Sequence, residues 1–159
     1  MKVVFICGPF RGKTAWDVEQ NVRRAERVAW LVAREGAMPL CPHANTRFFN
    51  GTLTDEFWLA GTMALMCLCH AVVLVPGWQQ SAGSRGEYAE AIDREMPVFV
   101  ARDTIIWPSV PIPRWGYFHH WLHNGWLAPE ETRRAMAAYR DVLAERYGAM
   151  TVDGASVRG

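Results

Sequence analysis

The segment AVVLVPGWQQSAGSRGEYAEA, Ala71 to Ala91, decides the fold of this chain. Its first five residues form an unbroken apolar run that Pro76-Gly77-Trp78 brings to a stop. An apolar run bounded by turn residues is the pattern of a parallel strand covered on both faces. Helical sequence follows, from about Ser84 to Glu95, so the segment reads as strand, loop, helix. In open α/β sheets, ligands sit beyond the carboxyl ends of such strands. Ser81, Gly83 and Ser84 supply what an anion needs there: a hydroxyl, a backbone open to close approach, and helix N-terminal amides. Glu87, one turn into the helix, would repel a phosphate set directly on it, and so is expected to face another part of the ligand.

Outward from this segment the same alternation repeats. Lys2 to Cys7 reads as a first strand, and Ala15 to Arg34 as a helix with Val18, Val22, Ala25, Val28, Ala29 and Val32 on one face. Gly36 is placed to end that helix. A short strand is expected at Ala37 to Cys41, a loop at Pro42 to Thr52, a helix at Asp55 to Cys69, and a last strand at Pro97 to Ala101. Four strands joined by helices predict a flavodoxin-like, Rossmann-like parallel sheet with helices on both faces and right-handed crossovers. This core spans residues 2–101 of a single domain, 1–150. An aromatic-rich extension follows at 102–128, holding Trp107, Trp115, Trp121, Trp126 and several prolines. A helix is expected over 129–147, and residues 151–159 read as a small, polar, flexible tail.

Composition narrows the function classes. A chain of 159 residues, 50% apolar, can bury a sizeable core. A net charge of +1 with no basic stripe argues against a nucleic-acid polymer as partner. Arg23, Arg24, Arg27 and Arg34 alternate with Glu19, Glu26 and Glu35, the pattern of a solvated helix face. The first residues read as a strand rather than a leader, and no apolar run approaches the roughly 20 residues of a membrane span. The expectation is a cytoplasmic protein with no membrane partner, in which Cys7, Cys41, Cys67 and Cys69 are buried, reduced thiols.

Three clusters invite stronger readings. Gly8-Pro9-Phe10-Arg11-Gly12-Lys13-Thr14 resembles a P-loop but has three residues between its glycines where the motif needs four. It reads instead as a ligand wall at the sheet edge, with Arg11 and Lys13 available to an anion, or as a tight turn with solvated basic residues. His43, followed by Asn45, lies on the loop after the second strand, either as a base contact or catalytic acid or as a turn residue bonded to backbone. His119, His120 and His123 lack an acidic partner at close spacing, so no metal is expected there; their aromatic neighbours suggest a packing surface, a lid or a dimer contact. No cofactor is called for.

Gly8-Pro9 after the first strand, Pro42-His43, and above all Gly77-Trp78-x-x-Ser81-x-Gly83-x-x-x-Glu87-x-x-x-Ala91 resemble the nucleoside 2-deoxyribosyltransferase superfamily, which includes nucleotide N-glycosidases. The resemblance covers residues 2–101. It implies that Glu87 is a nucleophile forming a glycosyl-enzyme, and that Ser81 stands where the monophosphate hydrolases carry a phosphate-contacting serine. The implied substrate is a nucleoside 5′-monophosphate, held by Gly8, Pro9, Phe10, Arg11, Asn45, Trp78, Ser81, Gly83 and Ser84, with Glu87 and His43 catalytic. The implied activity is release of free base and (deoxy)ribose 5-phosphate. A deoxyribosyltransferase and a non-catalytic nucleotide-binding or sensor module are the alternatives. Relatives place further acids where this chain has Thr62 and His70, which leaves the general acid unassigned; Asp55 and Glu56 lie an earlier turn away. A homodimer or higher homo-oligomer is also implied, because neighbouring subunits in the superfamily commonly complete the site.

Overall fold

The computed structural model of the protein describes residues 1–101 and 111–148. Trp107 and the tail 151–159 lie outside the described residues. The elements are β1 (Val3–Cys7), α1 (Ala15–Arg34), β2 (Met38–Leu40), α2 (Pro42–Asn45), α3 (Asp55–Met66), β3 (Ala71–Leu74), a 3-10 turn (Trp78–Gln80), α4 (Ala82–Asp93), β4 (Val98–Val100), α5 (Trp115–Asn124) and α6 (Glu130–Tyr147). The four strands are parallel, in the order β2-β1-β3-β4. That is the doubly wound α/β arrangement expected from the sequence, and its topological switch point lies between β1 and β3.

Alternation along each strand explains why both faces are covered. Val4 and Ile6 of β1, with Val73 of β3 and Phe99 of β4, point into a core shared with Ala25, Val28 and Val32 of α1 and with Phe118 and Trp121 of α5. Phe5 and Cys7, with Val72 and Leu74, point the other way, toward Met66 of α3, Tyr88 and Ala91 of α4, and Met136 and Leu143 of α6. A strand buried on both sides has no polar positions to spare, which is why AVVLV reads as a continuous run.

Helix boundaries follow local chemistry. Thr14 caps α1 in a reciprocal box with Asp17: the Thr14 hydroxyl accepts from the Asp17 amide, and the Asp17 carboxylate accepts from the Thr14 amide at 2.9 Å. Gly12-Lys13-Thr14 is thus a helix start, not a phosphate loop. Gly36 follows α1 with φ +98°, in keeping with its reading as a stop.

The structure corrects four expectations. Residues 42–45, read as loop, form the short α2, and Trp78–Gln80 a 3-10 turn. The aromatic extension contains a helix, α5, that its composition hid. That helix is not a lid over the cavity but the packing surface that its aromatics suggested. Phe118 and Trp121 pack on Phe99 with ring centroids 5.5 and 5.6 Å away, on a face of the sheet. Finally, Cys7 and Cys41 are buried thiols, whereas Cys67 and Cys69 are half-buried at the end of α3.

Candidate active site

The loops leaving β1 and β3 diverge at the switch point, and a cavity of about 540 Å³ opens between them. Its walls come from Gly8 to Arg11 after β1, Pro42 and His43 of α2, Asp55, Trp58, Leu59 and Thr62 of α3, and Gly77 and Gln80 to Ser84 before and into α4, with the buried Glu87 at its inner end. The volume falls within the roughly 300–1,000 Å³ typical of small-molecule sites.

Two glycines let these loops meet. A Cβ on Gly8 would sit 2.7 Å from the Val75 Cβ, so any side chain there pushes the first loop away from β3. Gly77 turns the chain at φ +88°, a left-handed conformation that favours glycine. Asn21 then secures the first loop, donating from its amide nitrogen to the carbonyls of Phe10 (3.2 Å) and Arg11 (2.7 Å).

Glu87 is 8% exposed, and no cation pairs with it among the described residues. Burial pushes its carboxyl up to about 7, opposed only in part by a hydrogen bond from the Cys7 thiol. Cys7 is itself fully buried, 3.5 Å from the Ser84 carbonyl, and burial reinforced by the Glu87 charge raises its thiol well above the usual range. A carboxyl group set near neutrality at the inner end of a cavity is an unusual arrangement to maintain, and such groups cluster at functional sites.

The helix that carries Glu87 starts at the same wall. Ser81 is the N-cap of α4, its hydroxyl oxygen accepting from the Ser84 amide at 3.3 Å while its own O–H stays available. Gly83 lines the same wall, tight against Leu59: a Cβ there would lie 3.1 Å from that side chain. Arg24 of α1, read from sequence as part of a solvated face, lines the cavity beside Gly77 and donates to Asn21 Oδ1 at 3.0 Å. The signal for it was Asn21, a polar residue inside the apolar stripe of α1.

Other expected residues take different roles. His43 is buried, with Nε2 2.8 Å from the Gly8 carbonyl oxygen. A carbonyl can only accept, so Nε2 carries the proton and Nδ1 is a bare acceptor. Burial lowers the imidazole below its ordinary 6.5, which keeps the ring neutral at pH 7. His43 is therefore a poor catalytic acid: its one N–H is committed to Gly8. Arg11 is ion-paired with Asp55 across the cavity mouth, and so is not free for an anion as the sequence suggested. Through that pair Asp55 reaches the cavity and, with Glu87, is one of two carboxylates lining it among the described residues. Trp78 is 2% exposed and faces the core, tilted against Tyr88 with centroids 4.9 Å apart, and does not line the cavity. Asn45 is exposed and also lies outside it. Thr62 lines the wall, while His70 accepts from the Val3 amide at 3.0 Å at the amino ends of the strands, the opposite edge.

Three buried polar atoms on cavity-lining residues have no partner: His43 Nδ1, Trp58 Nε1 and Ser84 Oγ. Buried polar groups are nearly always hydrogen-bonded, so three orphans on residues around one cavity set this region apart from the rest of the described core. Phe10, Phe49 and Trp58 add flat apolar surface, with Phe49 stacked on Trp58 at 5.7 Å.

A family model described as Domain of unknown function (DUF7768) matches residues 2–101. The chain belongs to this family. Every residue lining the cavity falls within the DUF7768 segment, whereas α5 and α6 lie beyond it. The site thus lies within the matched segment, and α5 and α6 lie outside it. A comparison with curated proteins found none that matches the chain.

Proposed function

We propose that the protein hydrolyses the N-glycosidic bond of a nucleoside 5′-monophosphate, with Glu87 as nucleophile. The observation that carries this reading is Glu87 itself, a buried carboxyl at the inner end of a cavity whose mouth holds a capped helix N-terminus. The geometry separates two needs of such a substrate. A phosphate suits the Ser81 hydroxyl, the free amides of the first turn of α4 and Arg24. Phe10, Phe49 and Trp58 suit a flat base. The sugar then lies between them, its anomeric carbon toward Glu87.

In the reaction, the Glu87 carboxylate attacks C1′ as the C1′–N bond breaks and its electron pair leaves with the base, which takes up a proton from solvent water. An oxocarbenium-like transition state is favoured by the adjacent negative charge. Water then cleaves the glycosyl ester, regenerating Glu87 and releasing sugar 5-phosphate. Ionised Glu87 is the reactive form, so turnover is expected to rise with pH through about 7. Asp55, held by Arg11, supplies an acceptor for sugar hydroxyls.

The test is incubation of the protein with a panel of nucleoside 5′-monophosphates, with free base measured by chromatography. At least one should yield base and sugar phosphate, and Glu87→Gln should lower turnover by at least about a thousandfold, roughly 4 kcal/mol of barrier. Failure of every monophosphate, or a Glu87→Gln variant within about tenfold of wild type, would remove the proposal. Added free base distinguishes the transferase alternative, because a transferase passes the sugar to it.

A further inference from the structure

On one flank of the molecule, well apart in sequence from the cavity residues, α5 carries His119 and His123 one turn apart, an i, i+4 pair that shares a helix face. Glu35, at the end of α1, meets them from 84 residues away in sequence: its Oε2 lies 2.7 Å from His119 Nδ1. The two imidazole rings have centroids 4.5 Å apart, and one donor atom from each of the three residues lies within 4.8 Å of the others. The acidic partner that local spacing failed to provide is supplied by the fold.

We propose that Glu35, His119 and His123 form a binding site for one divalent cation of the zinc, nickel or copper class. Two imidazole nitrogens with one carboxylate oxygen suit these borderline metals, whereas calcium and magnesium prefer all-oxygen sets. The backbones that present the donors are held independently of any ion. α5 is anchored by Phe118 and Trp121, both buried in the core, and α1 by Val28 and Val32. Only side-chain adjustment is then needed, from donor atoms already within 4.8 Å of one another to the closer spacing of ligands that share one ion. Both histidines are exposed and Glu35 is half-buried, so the ion enters from solvent and keeps water in its remaining positions. Binding exchanges the His119–Glu35 hydrogen bond for two metal bonds.

The consequence is mechanical. Glu35 belongs to the DUF7768 segment and both histidines to the extension, so an ion here staples α5 to the family core. Linkage then requires that the metal raise the stability of the folded chain.

The experiment uses the untagged full chain, stripped with a chelator and titrated with Zn²⁺ against a chromophoric competitor. One equivalent should bind and raise the melting temperature. His119→Asn, His123→Asn and Glu35→Gln should each weaken binding by more than the roughly tenfold to hundredfold that loss of an outer-shell partner costs, and His120→Ala, on the same helix, should leave it unchanged. Cu²⁺ gives a readout independent of the variants, because its electron paramagnetic resonance spectrum should carry hyperfine splitting from two imidazole nitrogens. Absence of stoichiometric uptake would overturn the site. So would uptake that survives the His119→Asn/His123→Asn double variant, or a Cu²⁺ spectrum without that nitrogen splitting.

Discussion

Glu87 sets a conflict at the scale of one residue. Its carboxyl goes from an ordinary 4.5 to about 7 on folding, because burial disfavours the charge. Between these values the folded state holds a proton that the unfolded chain has released. The contribution of Glu87 to stability is therefore most favourable below about pH 4.5, falls as pH rises toward 7, and is flat beyond. At 1.36 kcal/mol per unit the cost is up to about 3 kcal/mol. Glu87→Gln keeps the shape and removes the charge, so it should be more stable than wild type at about pH 8 by up to that amount, and close to equal at about pH 4. Urea unfolding of both proteins across this range measures the difference; a gap that does not vary with pH would mean that Glu87 is not held uncharged. The stabilised variant is also the one expected to lose turnover, the trade common at functional sites.

Among the elements, α4 and α5 differ in what makes them helices. Ser81 caps α4, and Asp caps as well as Ser. Ser81→Asp should thus preserve the helix while setting a negative charge against a 5′-phosphate. The expected result is a loss of kcat/KM on the monophosphate on the order of a hundredfold, about 3 kcal/mol, with far less loss on the unphosphorylated nucleoside. Steady-state kinetics on the matched pair decides it, and equal losses would take Ser81 out of phosphate recognition. By contrast α5, WGYFHHWLHN, holds aromatic, histidine and glycine residues of low helix propensity behind a proline-rich approach. What makes it a helix is burial of Phe118 and Trp121 on Phe99, a contact that exists only after the sheet has formed. Its signals were faint: the 115, 118, 121, 122 stripe, and Gly125 as a left-handed stop at φ +68°.

For the whole molecule, α3 poses the open question. Of its twelve residues only Met66 is buried, although most are apolar. Phe57 is 56% exposed and Leu65 40%, with Phe48, Leu53 and Leu68 exposed beside them in sequence. Large exposed apolar patches mark association surfaces. This one adjoins the cavity, because Phe57 packs edge-on against the cavity-lining Trp58 at 5.1 Å. The homodimer implied by the sequence resemblance would cover α3 and border the site. Sedimentation velocity should find a dimer, and Phe57→Glu with Leu65→Glu should yield a folded monomer with impaired binding at the cavity. A wild-type chain that sediments as a monomer at all concentrations would refute this.

The sequence by itself determined the parallel sheet and its alternation with α1, α3 and α4, because strand burial and helix amphipathicity are written locally as periods of two and 3.6 residues. It also marked Glu87, Ser81 and the Gly8 loop, where residue types and short spacing carry the signal. Partnership is not local, and only the tertiary structure decided it. The fold turned Trp78 into the core, committed the His43 N–H to Gly8, tied Arg11 to Asp55 and brought Arg24 to the cavity. It also carried Glu35 to His119 across 84 residues. Each of these depends on which elements pack together, and that information belongs to the assembled core rather than to any window of the chain.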